Sequence, residues 1–214
     1  MTPNHPIHRA AVAALLATVG AFAHADATED LFIGVIRDNA GYVTGAVRRG
    51  VDPNVRDANG QTGLVIAMRE ENLKAAEALL ASPGIDVDAA NAAGETPLML
   101  AAIKGRIDWC RRLLDRGAKV DRPGWTPLHY AASGPEPKVI ALLLDRGARI
   151  DAESPNRSTP LMMAARYGTE DGVKLLLDRG ASIAQRNDRN LAAADFAREA
   201  GREALARRLA APAR

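Results

Sequence analysis

One histidine, one thiol and a set of evenly spaced carboxylates are the groups in this sequence that could do chemistry. Of the four histidines, His5, His8 and His24 fall near the N-terminus, which leaves His129 alone in the rest of the chain. A general base needs a cleft and a partner acid, and a zinc site needs several His or Cys ligands. His129 by itself supplies neither. Cys110 is the single cysteine, so no disulfide can form within the chain. Its place near Val139 and Val173 in corresponding segments suits a small apolar core site, with a free reactive thiol as the alternative. Asp115, Asp145 and Asp178 recur once per segment, and such repetition suits structural or solvated carboxylates better than a catalytic pair. Neither a Gly-x-Ser-x-Gly elbow nor a Gly-x-x-x-x-Gly-Lys phosphate loop occurs. The expectation is a protein that is not an enzyme and holds no cofactor or metal.

The elements that would position these groups are repeated. Leu142–Ala148 and Leu175–Ala181 both read LLLDRGA, and Arg112–Ala118 reads RLLDRGA. A Thr-Pro-Leu precedes each, at Thr96, Thr126 and Thr159, always at the same distance from the following Gly117, Gly147 or Gly180. Fixed spacing of this kind marks one supersecondary unit used many times. Thr is a good N-cap, and Pro at the first helical position loses only a donor that has no partner there. The pattern predicts short inner helices from Leu98 to Lys104, Leu128 to Ser133 and Leu161 to Tyr167. The pairs Ala101-Ala102, Ala131-Ala132 and Ala164-Ala165 let neighbouring helices approach closely. Gly105 and Gly168 stand where a left-handed terminus is expected. A second helix carrying the Leu run follows, and a short finger then leads to the next Thr.

The first residues have a different character. A polar start ending in His8-Arg9 precedes an apolar run from Ala10 to Phe22, then Ala23-His24-Ala25. This reads as a secretory signal peptide over residues 1–25, cleaved after Ala25 or, alternatively, after Ala27. The run falls short of the roughly 20 residues a membrane span needs. Heavy use of Ala and Arg together with this leader suits a Gram-negative bacterium, hence the periplasm, with secretion beyond the cell as the alternative. Formal net charge is +2 for the whole chain. So even a balance gives no reason to expect nucleic acid as the partner.

TPLHYAA at Thr126–Ala132, with TPLMLAA at Thr96–Ala102 and TPLMMAA at Thr159–Ala165, resembles the ankyrin-repeat family. The resemblance implies an all-α solenoid of about six helix-turn-helix units with hairpin-like fingers. It would form a single domain over 26–214, with units near 26–57, 58–90, 91–121, 122–151, 152–184 and 185–214. The first and last would be caps, since a terminal layer shows one face to water. The family's His column reads Val65, Met99, His129, Met162 and Asp195 here. In the family this His ties the helix start to the finger, so only the His129 layer should do so and the others should rely on apolar packing. The finger between Asp121 and Thr126 is shorter than its neighbours, and Pro135-Glu136-Pro137 should form a rigid, irregular turn.

Such a solenoid implies a protein partner held on the concave side, by positions the stacking does not specify. Those are Arg69, Glu95, Ile103, Lys104, Arg122, Trp125, Arg157, Arg166, Tyr167 and Arg189. Trp, Tyr and Arg are the types enriched at binding hot spots. Trp125 has two readings, partner contact or packing over the shortened finger. Trp109 and Tyr130 are assigned to the core. The expected role is a monomeric, non-enzymatic scaffold of the bacterial envelope, with no membrane insertion after the leader is removed. The alternative is a periplasmic inhibitor or immunity factor for an enzyme of the same compartment.

Overall fold

A computed structural model of the chain describes residues 27–210, so the expected leader lies outside the described residues. They pack as two compact units, one ending at Asp86 and the other beginning at Val87. Among the described residues the architecture is all-α, six helix pairs with one isolated antiparallel bridge, Arg56 to Thr62.

The first unit holds α1 (27–36), α2 (Ala40–Arg48), α3 (Gly63–Glu70) and α4 (Leu73–Leu80). Asn72, the N-cap of α4, makes no side-chain cap bond. The cap comes from elsewhere: Asp38 accepts the N–H groups of Lys74 at 2.7 Å and Ala75 at 2.9 Å. Asn72 in turn donates to the Val35 carbonyl near the end of α1, at 3.0 Å. Each helix end thus satisfies the other's unpaired backbone groups.

The second unit holds α5 (Pro97–Ile103), α6 (Ile107–Asp115), α7 (Pro127–Ser133), α8 (Pro137–Asp145), α9 (Pro160–Tyr167), α10 (Glu170–Asp178), α11 (Ala193–Glu199) and α12 (Glu203–Ala210). The inner helices α5, α7, α9 and α11 pack in sequence, and the outer helices α6, α8 and α10 pack behind them. Leu98, Leu128 and Leu161 of the inner row and Leu113, Leu143 and Leu176 of the outer row are fully buried. Each contributes roughly 1.5–3 kcal/mol. The Ala pairs of α5, α7 and α9 are buried too, as close helix approach requires. Cys110 is buried in this core, and burial pushes its thiol up to about 12, which leaves it protonated and unreactive at neutral pH.

Helix starts follow the Thr-Pro reading. Thr96 accepts from Met99 N–H and Thr159 from Met162 N–H, both at 3.4 Å. Outer helices end at Gly117, Gly147 and Gly180, with φ of 92°, 89° and 92°. The N–H of Ala118, Ala148 and Ala181 then reaches back to Leu113, Leu143 and Leu176 at 2.9 Å, the Schellman pattern.

The inner glycines divide. Gly105 is left-handed, with φ 69°. Gly168, expected to match it, is extended at φ −85° and ψ −174°. It is needed for space: a Cβ there would lie 2.1 Å from the Ala132 carbonyl oxygen of the preceding layer. Gly134, also extended, is held less tightly against α5, where a Cβ would meet the Ile103 oxygen at 2.9 Å. The left-handed place falls to Glu71 after α3, at φ 60°.

Carboxylates that recur along the chain join layers. Asp88, Asp121 and Asp151 accept the N–H groups of Lys119, Arg149 and Ser182 at 3.0, 2.9 and 3.0 Å. Asp115 pairs with Arg146 at 3.0 Å and Asp145 with Arg179 at 2.9 Å, a ladder along the outer helix ends. At the last layer Arg202 donates to the carbonyls of Ala164, Ala165 and Gly168 at 3.0, 3.0 and 2.9 Å, covering the end of α9. The fingers fold as tight turns: Asn91 N–H bonds Glu95 O, Ser154 bonds Ser158 and Asn187 bonds Leu191, each at 3.0 Å.

Candidate protein-binding groove

The column headed by His129 sets the joints beneath the second unit's inner face. Thr126 N–H donates to His129 Nδ1 at 3.2 Å, and the Thr126 hydroxyl lies 2.9 Å from the same nitrogen. A backbone N–H can only donate, so Nδ1 is the acceptor and Nε2 carries the proton. Nε2–H then donates to the Ser158 carbonyl of the next finger at 2.9 Å. Both ring nitrogens are engaged and the residue is 1 % exposed, so it has no lone pair to offer a substrate or metal. At the other layers the apolar column residues Val65, Met99 and Met162 are buried in the core, as expected, but for the two methionines packing is not the whole role. Met99 and Met162 sulfurs accept from Thr96 and Thr159 N–H, both at 3.4 Å, and Asp195 accepts from Ala192 N–H at 2.9 Å. In these three layers the column residue closes the helix start; the His129 ring also crosses to the next finger.

Burial, opposed in part by the bond to Ser158, holds the His129 pKa below its usual value. The native state therefore resists a proton that the unfolded chain takes up near pH 6.5. Stability is unaffected above that pH and falls as pH drops through it toward the lower native pKa, by up to about 1.4 kcal/mol per pH unit. Asp195, held below the ordinary carboxylate range chiefly by the Ala192 N–H, acts only in more acidic solution. Urea unfolding at pH 7 and pH 5 should show the loss in the wild type and a flatter profile in His129→Met, the residue used at Met99 and Met162. Equal slopes in the two proteins would refute this account.

Above this column lies an open cavity of about 450 Å³, lined by Ile103, Trp125, Tyr130, Met163 and Tyr167, with His129 and Ser133 completing its wall. Its origin is readable in the helix ends. α5 finishes in Ile103-Lys104 and α9 in Arg166-Tyr167, but at the corresponding place α7 finishes in Ser133-Gly134. Two small residues between two large pairs leave a hollow. Ile103 is 37 % exposed and Tyr167 59 %. The Trp125 ring meets the His129 ring edge-on at 5.2 Å and 78°.

Of the residues expected to contact a partner, Ile103, Trp125 and Tyr167 come together in this hollow, and Lys104 is exposed beside Ile103. Arg166 pairs with Glu199 at 2.6 Å and lies over the Tyr167 ring at 5.3 Å, while Arg189 pairs with the same Glu199 at 3.0 Å. Glu95 is held by Asn91 at 2.8 Å and by the Tyr130 hydroxyl at 3.3 Å. Arg122 donates to the Gly94 carbonyl of the neighbouring finger. Arg157, left-handed at φ 59°, pairs with Glu153 at 3.2 Å. Arg69 belongs to the first unit, where it donates to the Gln61 side chain. Trp109 is core, with Arg112 over its ring at 4.5 Å. Tyr130, assigned to the core from sequence, instead lines the hollow. Burial first, then Glu95, pushes its phenol up to about 12, so it stays a hydrogen-bond donor at neutral pH. The Ser133-Gly134 step was the available signal for the hollow.

Among the described residues, no group of three or more His, Cys, Asp or Glu side chains could hold a metal ion, and no helix is long and apolar enough to cross a membrane.

A family model described as "Ankyrin repeats (3 copies)" matches residues 31–123 and 119–187. The chain belongs to the ankyrin-repeat family, a fold that generally mediates protein–protein interaction. It is 44% identical over 84 residues to Neurogenic locus notch homolog protein 4 of Homo sapiens, covering 37% of this chain and 4% of that protein. Similarity to Putative palmitoyltransferase ZDHHC13 of Danio rerio is 32% over 153 residues, 72% of this chain and 19% of that protein. Inversin of Canis lupus familiaris is 36% identical over 122 residues, 55% of this chain and 11% of the relative. The chain thus spans less than a fifth of each of these relatives.

Proposed function

We propose that this protein is a non-enzymatic interaction scaffold of the bacterial envelope that grips a partner protein along the inner face of its second unit. The observation that carries this reading is the hollow at Ile103, Trp125 and Tyr167. Monomeric proteins seldom leave large apolar side chains clustered in water without a binding role. The core does not need them, because the Leu and Ala columns already fill the space between layers. The ionisable groups at the hollow are already engaged with each other or with the backbone: the imidazole is buried with both nitrogens bonded, and the Tyr130 hydroxyl donates to Glu95. Export is supported by the leader-like N-terminus, and the choice between its two cleavage positions by Ala27. That residue is 2 % exposed within α1, so cleavage after Ala25 preserves a core contact that cleavage after Ala27 would remove.

Site-specific photo-crosslinking in the native host tests the binding surface. A benzophenone amino acid at position 125 or 167 should give covalent adducts with another protein. The same group at the exposed outer-helix positions Arg111 and Lys174 should give few. Equal adduct yields from both faces would sink the proposal. Mass spectrometry of the purified protein should find Asp26 at the mature N-terminus.

A further inference from the structure

We infer that the hollow of the second unit recognises an acidic peptide segment carrying one bulky apolar side chain, a partner class that rests on the protein-binding reading above. The apolar requirement comes from the lining of Ile103, Trp125, Tyr130, Met163 and Tyr167. An aromatic side chain brings about 150–250 Å² of surface to bury, and the cavity of about 450 Å³ has room for it. The acidic requirement comes from the rim. At the Ile103 end stands Lys104, exposed. At the Tyr167 end stand Arg166 and Arg189, which share one carboxylate, Glu199, so that end keeps a positive excess.

Two further carboxylates, Glu95 and Glu136, stand nearby and keep their charge; Arg122, whose cation reaches Tyr130 as the Glu95 carboxylate does, offsets one of them. Glu95 accepts from Asn91 and Tyr130. Glu136 turns to the Lys138 N–H at 3.0 Å, at the start of α8. The rim sets four cations, Lys104, Arg122, Arg166 and Arg189, against three carboxylates, Glu95, Glu136 and Glu199, so a basic peptide meets a net like charge and an acidic one a net opposite charge. Exposed ion pairs add little affinity but strongly influence encounter and choice of partner. The anchor side chain should therefore supply most of the binding energy and the rim most of the selectivity.

Selection of a displayed library of random dodecapeptides on the purified protein tests this. Enriched sequences should carry net negative charge and an aromatic or large aliphatic residue. Tyr167→Ala should weaken an enriched peptide roughly tenfold or more, as loss of a hot-spot side chain does. The double variant Lys104→Glu, Arg189→Glu should weaken it and reduce its sensitivity to salt. All three substitutions fall at exposed positions, and unchanged thermal unfolding would confirm intact folding. Enrichment of basic or purely polar peptides, equal binding by Tyr167→Ala, or no enrichment at all would overturn the inference. Crosslinks at positions 125 and 167 together with such a failed selection would reject the acidic partner class and leave the scaffold role standing. Loss of the crosslinking preference itself would reject the scaffold role.

Discussion

Gly168→Ala should destabilise the protein by about 3 kcal/mol or more, as forcing an atom into a filled site does, and Gly180→Ala by only about 1–2 kcal/mol. The order is the reverse of what backbone conformation alone suggests. Gly180 is left-handed at φ 92°, but a Cβ there meets nothing within 4 Å. Gly168, at φ −85°, adopts a conformation open to any residue. Its constraint is the Ala132 carbonyl oxygen, 2.1 Å from where a Cβ would sit, with Ala164 Cα at 3.0 Å. Both obstacles are backbone atoms of packed helices, so neither can rotate away. Relief requires α9 to move off α7, which also spreads the hollow between Ser133 and Tyr167. Urea denaturation of the two variants decides the matter; a smaller loss for Gly168→Ala than for Gly180→Ala would show that the layers are not held this tightly.

Leu143→Asp should cost more than about 4 kcal/mol, the range reserved for an unpaired charge or lost core side chain. Leu143 is fully buried in α8, and its outer-row neighbours are α6 and α10. Each layer of a repeat array is stabilised mainly by the layers it touches. Damage in α8 should therefore appear as lost amide protection in α6 and α10 as well. Hydrogen exchange followed by mass spectrometry would show it, with Leu142→Asp at a half-buried position as the milder comparison. Loss of protection confined to α8 would mean that each helix pair is stable alone.

Much of this architecture was legible because its determinants are local. Thr-Pro at 96 and 159 specifies helix starts through capping and a fixed φ, while at 126 the Thr hydroxyl turns to the His129 ring and the fixed φ of Pro127 remains. Gly117, Gly147 and Gly180 specify ends through a left-handed backbone. Identical spacing then carries the same solution from layer to layer. What sequence reading missed depends on contacts between layers. Gly168 looked like another left-handed terminus; its constraint is a carbonyl from residue 132, which no local rule contains. Met99 and Met162 looked purely apolar, yet their sulfurs accept the Thr N–H groups. The hollow was half visible. Ile103, Trp125 and Tyr167 stood out as unexplained by stacking. Tyr130 did not, because its own column holds the buried Leu100 and the half-buried Met163. Only the small Ser133-Gly134 step beside it opens that column to solvent.

The junctions between successive layers share the repeated carboxylate bonds, but some add a contact of their own. An imidazole reaches from Thr126 to Ser158, a bare backbone nests at Gly134 and again at Gly168, and a guanidinium covers three carbonyls at Arg202. Near-identical modules strung on one chain risk pairing out of order while they fold. Here a module docked one place too early would strand the imidazole, jam a side chain against a carbonyl or leave the guanidinium without its acceptors. Contacts of this kind favour the correct order of layers by fit, in addition to the order that connectivity imposes.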